Sequence, residues 1–155
     1  MNFEHTKKTK ELIGLVSNFI DQKIRPREAE YVQSMNSFRE SGNPWQVPEV
    51  LYELKRDARA EGLWNFSLTG NEGYGLTNLE FAPLAEMMGV GWTSEVFNSS
   101  APDAGNMEVL DKYGSSYQKE KWLKPLLDGQ IRSLFGLSEP IVASSDARMI
   151  GRTFS

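Results

Sequence analysis

Apolar side chains recur at three- and four-residue steps through the N-terminal part of this 155-residue chain. The first such pattern predicts an amphipathic helix from about Thr6 to Ile24. We expect Pro26 to end this helix, because the residue before a proline disfavours the helical backbone and proline lacks an amide hydrogen. Serine, asparagine and glycine residues then predict a polar loop over Ser34–Trp45.

Two further helices are predicted in the middle of the chain. One begins near Pro48, which suits the first turn of a helix, and ends at Gly62. The other begins at Asn78 and ends near Gly89, because the residues around its start match a capping box. The expected buried faces consist of Leu51, Leu54 and Ala58 in the first, and Phe81, Leu84, Ala85 and Met88 in the second.

The remaining pattern predicts two short helices and one strand. The helices are expected over Asn106–Tyr113 and Ser116–Lys124, and the strand over Ile131–Leu137. The predicted fold class is therefore mainly α, a helical bundle with one short terminal β-strand. Because a lone strand leaves its backbone N–H and C=O groups unpaired, we expect its partner strands to lie outside this sequence.

Charge and hydropathy exclude several classes of partner. Asp and Glu outnumber Lys and Arg by 21 to 17, which gives a net charge of −4 and a sequence pI of about 5.1. Such an acidic balance argues against nucleic acid or an anionic membrane as the main partner. No apolar run approaches the roughly 20 residues that a membrane-spanning helix needs. We therefore expect no nucleic acid partner and no membrane span.

Metal and nucleophile chemistry has few candidate residues. The chain contains no cysteine, and its one histidine is His5, near the N-terminus. Zinc clusters and Ser-His-Asp triads need such residues, so we assign no metal ligand and no catalytic residue. Glu108 and Asp111 are paired carboxylates on a predicted exposed helix face, without the burial that general acid–base catalysis needs.

The most distinctive stretch is Phe135–Asp146, an apolar strand followed by Ser-Glu-Pro, small residues and Ser-Ser-Asp. Pro140 ends the strand and rigidifies the turn. The small side chains of Ala143, Ser144 and Ser145 let a ligand approach the backbone, and hydroxyl and amide groups there suit phosphate oxygens. An ordinary proline turn followed by a serine-rich loop would have the same local pattern.

This stretch resembles the flavin- and acyl-CoA-binding turn of the acyl-CoA dehydrogenases, usually written Thr/Ser-Glu-Pro-x-x-(Gly/Ala)-Ser-Asp. Two other stretches support the resemblance in the right order and at the right spacing. Tyr113–Gly129 is similar to the family's Tyr-Gly-(Ser/Thr)-x-x-Gln-Lys-x-x-(Trp/Tyr)-Leu-x-Pro-Leu-x-x-Gly. Ala60–Leu76 is similar to its Ala-x-x-Gly-Leu…Gly-Gly-x-Gly region.

The stretch Asn98–Glu108 resembles one branch of the family, whose members include fusions to a kinase-like domain. In the family this region lies over the acyl pocket. The alternative is a connecting loop in which Asp103 caps the next helix.

The resemblance implies a domain organisation. Residues 1–129 would form the family's N-terminal helical domain, and residues 130–155 the first strand-turn of its middle β-domain, here truncated. The family's catalytic base is a glutamate of a C-terminal helical domain that this sequence lacks. Glu139, next to the implied flavin, is for that reason not assigned as catalytic.

The implied cofactor is FAD. By resemblance, Phe135, Leu137 and Ser138 would lie along the flavin ring, with the Ser138 hydroxyl and amide hydrogen-bonded to it. Ser144 and Ser145 fall where the family contacts pyrophosphate or acyl-CoA, and Ser145 is the implied substrate contact. The segment between Pro140 and these serines is one residue longer than the usual Gly-x-Gly-Ser-Asp form.

The implied activity is α,β-dehydrogenation of acyl-CoA thioesters, in which a base removes the α-proton while the β-hydride passes to FAD. Because the base is missing, we expect this chain to be inactive alone. The alternatives are a non-catalytic module that binds a homo-oligomer or full-length relative, and an inert fragment. No residue identifies the compartment, which would be cytoplasmic in a bacterium and mitochondrial or peroxisomal in a eukaryote.

Overall fold

The computed structural model describes residues 4–68 and 73–136, which are mainly helical. The α-helices, in chain order, are α1 (Lys7–Phe19), α2 (Glu28–Glu40), α3 (Glu49–Ala60), α4 (Asn78–Met88), α5 (Thr93–Val96), α6 (Asp103–Tyr113), α7 (Ser116–Gln118) and α8 (Lys124–Leu127). A 3₁₀ turn covers Arg25–Arg27, and π-helical turns cover Ile20–Ile24 and Lys119–Leu123. The mainly α fold class expected from the sequence is confirmed.

Side-chain caps mark the beginnings of α1, α4 and α7, the last through a capping box between Ser115 and Gln118. The Thr6 hydroxyl accepts a hydrogen bond from the Thr9 amide at the start of α1. At α4 the capping box predicted from the sequence is present: Glu80 N donates to Thr77 Oγ1, and Thr77 N donates to Glu80 Oε2 at 3.0 Å. These bonds satisfy amide groups that have no acceptor within the first turn of a helix.

The two π-helical turns each precede a proline. In the first, the Arg25 amide bonds the carbonyl of Ile20, and in the second the Lys124 amide bonds the carbonyl of Lys119. Widening the turn moves backbone carbonyls away from the proline ring, which would otherwise clash with the helix. The prediction that Pro26 ends helical structure is therefore wrong, since the backbone stays helical through a 3₁₀ turn into α2.

Helix α2 occupies the first part of the loop predicted over Ser34–Trp45, so that prediction is correct only from Ser41 onwards. None of its side chains is fully buried, although Tyr31, Met35 and Phe38 form a half-buried apolar stripe at helical spacing. Arg27 holds its first turn by pairing with Glu30 at 2.8 Å and with Glu53 of α3 at 2.6 Å.

The main core lies between α1, α3, α4 and α5, and a smaller one lies under α6 and α8. The predicted buried residues of α3 are confirmed, as are Leu84 and Met88 of α4. Two large apolar side chains of the described helices are substantially exposed, Leu15 by 56% and Trp122 by 47%. The smaller core consists of Leu68, Met107, Leu123 and Leu126.

The segment 131–136 leaves the helical body without regular structure. The strand predicted over Ile131–Leu137 is thus not formed within residues 131–136, and Leu137 lies outside the described residues. A strand needs a neighbouring strand to pair its backbone groups, and none is present in residues 4–68 and 73–136.

Candidate functional site

A cleft of about 510 Å³ lies between α2, α3 and the segment that leads into α5. Its apolar lining consists of Tyr31, Met35, Val47, Pro48, Leu51 and Trp92. Its polar lining includes Ser94, Glu95, Ser100 and Arg132. A cleft with mainly apolar walls and a few localised polar groups is typical of sites for small organic ligands.

Two stacked aromatic rings form one wall of this cleft. The ring centroids of Tyr31 and Trp92 are 4.1 Å apart, and their planes differ by 4°. Burial, and to a lesser extent the negative charge of Glu95, raises the pKa of the Tyr31 hydroxyl. The hydroxyl therefore stays neutral, so the wall presents flat, uncharged surface to the cleft.

Charged side chains meet beside the cleft, where Glu95 and Arg132 belong to its lining. Arg132 Nη1 is 2.7 Å from Glu95 Oε1, and Arg132 Nε is 3.3 Å from Asp103 Oδ2. Lys55 Nζ approaches the same Glu95 oxygen to 3.7 Å. Both carboxylates are largely buried, with side-chain exposures of 14% and 7%. We call these four residues the charged cluster, in which each buried carboxylate has a cationic partner, as buried charges require.

Burial also affects Lys55, which lies beneath the surface with its ammonium group 5.7 Å from the centre of the Trp64 ring. Desolvation lowers the pKa of this ammonium group, and the charge of Glu95 partly opposes that effect. Glu95 is therefore a shared partner of Lys55 and Arg132.

Asp103 links the helical body to the segment 131–136. Its Oδ1 atom accepts hydrogen bonds from the Ser133 amide at 2.6 Å and from the Ser133 hydroxyl at 2.5 Å. The alternative in which Asp103 caps α6 is wrong, because Pro102 occupies the cap position and Asp103 is the first helical residue. Its carboxylate bonds the following segment rather than its own helix.

Asn106, one turn further along α6, bonds the same segment. Its side-chain amide donates to Ser133 Oγ at 2.8 Å and to the Leu134 carbonyl at 3.3 Å. Asp103 and Asn106 therefore present an acceptor and a donor to Ser133, and Asn106 also bonds the following residue, Leu134.

Phe135 follows directly, and it is the one implied flavin contact within the described residues. Its side chain is 67% exposed. The other implied contacts, Leu137, Ser138, Ser144 and Ser145, lie outside the described residues, as does Glu139. An exposed aromatic ring is suited to lie against a flat heteroaromatic ring, so the part of the implied flavin site that is described fits such a group.

The remaining candidates show no catalytic arrangement. Glu108 is exposed on α6, and Asp111 pairs with Lys119 at 3.7 Å. Within residues 4–68 and 73–136, no three potential ligands are grouped so that they could hold a metal ion. In the same ranges no helix combines the length and apolar character needed to cross a bilayer.

Sequence reasoning missed the charged cluster entirely. Lys55, Glu95, Asp103 and Arg132 are separated by up to 77 residues and share no spacing pattern. A usable signal was the position of Glu95 and Asp103 beside apolar residues that the fold buries, since buried carboxylates require partners.

Comparisons with known proteins match this chain to one family. The model of the acyl-CoA dehydrogenase N-terminal domain matches residues 6–130. The mouse protein named acyl-CoA dehydrogenase family member 10 is 49% identical over 139 residues, which is 85% of this chain and 13% of that protein. A Mycobacterium tuberculosis protein, named Probable acyl-CoA dehydrogenase FadE2, is 43% identical over 161 residues, covering 100% of this chain and 38% of the relative.

A solved structure has the same fold. It is a Mycobacterium abscessus protein named as an acyl-CoA dehydrogenase, with a TM-score of 0.85 and 47% sequence identity. The match covers 94% of this chain and 37% of the solved chain. This chain therefore spans well under half the length of the relatives that it matches.

Proposed function

Because this chain belongs to the acyl-CoA dehydrogenase family, we propose that it serves as the N-terminal helical domain of an enzyme that oxidises acyl-CoA thioesters with FAD. The expected family and branch are confirmed by the relatives, whereas the activity and the cofactor are the proposal. Residues 1–129 would be the helical domain, and residues 130–155 the beginning of the middle β-domain.

The observation that carries the proposal is the proximity of the cleft to the implied flavin contact. Arg132 borders the cleft, and Phe135 lies three residues further along the same segment. The stretch Asn98–Glu108, which by resemblance lies over the acyl pocket, contributes Ser100 to the wall of the cleft. We infer that the acyl chain occupies this cleft and that its reacting carbons point towards Phe135.

The residues of this chain would bind and orient rather than transfer protons. The apolar lining of the cleft would exclude water from the acyl chain, while Phe135, Leu137 and Ser138 would hold the flavin, with Ser144 and Ser145 at pyrophosphate or acyl-CoA. FAD would supply the hydride acceptor. Glu95 and Asp103 are paired with Arg132, so neither is poised to act as a base. We therefore expect the 155-residue chain alone to have no dehydrogenase activity.

A flavin titration of the purified chain tests the cofactor proposal. We expect saturable quenching of FAD fluorescence, weakened by Ser138→Ala and by Phe135→Ala. Ser41→Ala, a substitution in the loop after α2, is the matched control and should bind FAD as the parent chain does. Equal quenching by all four proteins would contradict a flavin site at this segment.

The second candidate function is an interaction module that binds a homo-oligomer or a full-length relative. It is favoured by exposed apolar side chains on α6, where Val109 is 57% and Tyr113 73% exposed, and by Leu134 of the segment 131–136, which is 79% exposed. Val109 and Tyr113 are one turn apart and so lie on the same face of α6, and exposed apolar surface marks contact sites. Sedimentation of the chain, alone and mixed with a full-length relative, tests this second function. A chain that stays monomeric and does not bind the relative excludes an interaction module.

A further inference from the structure

Three polar side chains of the helical body hold the residues immediately before Phe135. Glu95 binds Arg132, Asp103 binds Arg132 and Ser133, and Asn106 binds Ser133 and Leu134. We call Glu95, Asp103 and Asn106 the polar clasp. We propose that Asp103 is the central positioning residue of this clasp and that it determines where Phe135 lies relative to the cleft.

The first argument is the burial of Asp103. Its side chain is 7% exposed, and it sits in the first turn of α6. A buried carboxylate is stable only where cations or hydrogen-bond donors replace the water it has lost. Here Arg132 and the amide and hydroxyl of Ser133 do so. The body of the fold therefore holds a charge whose described partners come from the segment 131–136.

The second argument is that this segment has no regular structure to hold it. Residues 131–136 are neither helix nor strand, so their backbone is not part of a hydrogen-bonded ladder within the described residues. Charge-assisted hydrogen bonds, such as that of the Ser133 amide to Asp103, are stronger than neutral ones. The clasp thus supplies the main directional contacts of the segment.

The third argument is distance along the chain. Phe135 follows Ser133 by two residues, and an extended chain advances about 3.3 Å per residue. The nearest hydrogen-bonded anchors on the N-terminal side of Phe135 are thus the Leu134 carbonyl, which accepts from Asn106 at 3.3 Å, and Ser133, whose amide donates to Asp103 at 2.6 Å. Loosening Asp103 would let the Phe135 ring move by several ångströms, which is enough to spoil contact with a flat ligand. This step rests on the proposed function, whereas the clasp itself does not.

Arg132 connects the clasp to the cleft, because the same side chain borders the cleft and pairs with both carboxylates. The charges of the charged cluster balance, with two cations and two carboxylates. The Arg132 guanidinium is therefore already paired with carboxylates and does not need a negatively charged ligand. An uncharged acyl chain can then occupy the cleft without breaking the contacts of the clasp.

Hydrogen exchange of the 155-residue chain tests the clasp without any ligand. Asp103→Ala should speed exchange of the Ser133 amide by about tenfold or more, since a hydrogen bond to a charged group contributes at least that much to a local opening equilibrium. Asp103→Asn, which keeps an acceptor but loses the charge, should give a smaller increase. Glu108→Gln removes a charge from the exposed face of the same helix and should change nothing.

The core amides of α3 report whether each variant folds. If Asp103→Ala does not fold, Asn106→Ala and Arg132→Gln test the same contacts at residues that are more exposed than Asp103, and both should speed exchange of the Ser133 amide. Unchanged exchange of this amide in any folded variant of Asp103, Asn106 or Arg132 overturns the proposal.

Flavin titration of the same variants then tests the effect on Phe135. We expect Asp103→Ala to weaken FAD binding and alter the visible spectrum of bound flavin, and Arg132→Lys, which keeps the positive charge, to weaken it less than Arg132→Gln. Normal FAD binding by a variant with a loosened segment overturns the positioning role. Lack of FAD binding by the parent chain, with the exchange result as expected, contradicts the proposed flavin site and leaves the clasp supported.

Discussion

The side-chain amide of Asn98 donates a hydrogen bond of 2.7 Å to the side-chain oxygen of Asn65, 33 residues earlier in the chain. Both residues are buried and have left-handed backbone angles, with φ of 51° and 58°. The same Asn98 amide donates to the Leu126 carbonyl at 3.0 Å, and Asn65 donates to the Leu127 carbonyl at 3.0 Å. This pair therefore helps to satisfy the carbonyls at the end of α8, where Leu126 also accepts from the Gly129 amide and Leu127 from the Trp64 indole.

Replacing Asn98 should destabilise the fold for two separable reasons. Asn98→Ala removes the hydrogen bonds that the Asn98 side chain donates to Asn65 and Leu126. It also places alanine, which tolerates a positive φ less well than asparagine does, at a left-handed position. We therefore expect the free energy of unfolding to fall by about 2–4 kcal/mol. Asn98→Gly removes the same bonds but tolerates the backbone angle, so its loss should be about 1–2 kcal/mol smaller. Urea unfolding measures both, and equal losses would contradict a contribution from the backbone angle.

Two glycines should respond to alanine in opposite directions. Gly129 has φ of +66°, and a Cβ there would lie 2.8 Å from Cζ2 of Trp64, so we expect Gly129→Ala to lower the free energy of unfolding by about 1–3 kcal/mol. Gly14 lies within α1, and a Cβ added there would have open space around it. Gly14→Ala should therefore raise the free energy of unfolding by about 0.5–1 kcal/mol. Thermal unfolding of the two variants tests this, and a change of the same sign in both would contradict it.

The stacked pair of Tyr31 and Trp92 should stabilise α2 against the rest of the fold. Because no side chain of α2 is fully buried, this stack is a principal apolar contact of the helix. A double-mutant cycle with Tyr31→Leu and Trp92→Leu should give a coupling energy of about 0.5–1.5 kcal/mol. Tyr52→Leu, a substitution of an exposed tyrosine on α3, is the control and should show no coupling to Trp92→Leu. Additive effects of Tyr31→Leu and Trp92→Leu would show that the stack contributes nothing beyond buried area.

The capping box of α4 should make stability depend on acid pH. Hydrogen bonds from the Thr77 amide, and then from its hydroxyl, lower the pKa of Glu80 below its ordinary value of 4.5. The carboxylate therefore contributes stability that is fully present above pH 4.5 and is lost as the pH falls through its lowered pKa. Glu80→Gln should be less stable than the parent chain at neutral pH and should lose less stability on acidification.

The control for this experiment is Glu86→Gln, which removes an exposed charge near the other end of the same helix. It should keep the full acid dependence of the parent chain, because the capping box remains intact. An identical pH profile for the parent chain and Glu80→Gln would disprove the contribution of the capping box.

Much of the helical fold could be predicted from the sequence because its signals are local. The buried stripe of α3 and the capping box of α4 involve residues within one or a few turns, and their predictions are confirmed. Helix α2 was missed although Tyr31, Met35 and Phe38 recur at helical spacing, because the serine and asparagine residues among them favour a loop. The effect of Pro26 was wrongly predicted, since a π-helical turn accommodates the proline without ending helical structure.

The candidate site also has one part that could be predicted from the sequence and one part that could not. The motif around Phe135 is contiguous, so the sequence alone could associate it with a flavin-binding family, and the comparisons confirm that family. The cleft and the polar clasp could not be predicted, because their members come from α2, α3, α5, α6 and the segment 131–136. Only the packing of those elements determines which side chains meet.

What this sequence determined by itself is the family, the mainly α fold class and the positions of the helices with strong periodic or capping signals. Those features depend on residues close together in the chain, where backbone geometry alone sets the spacing. What only the tertiary structure decided is that Asp103 bonds Ser133 rather than capping its helix, and that Glu95 lies between Lys55 and Arg132. A buried charge takes whichever partner the folded chain brings to it, and linear distance along the sequence does not identify that partner.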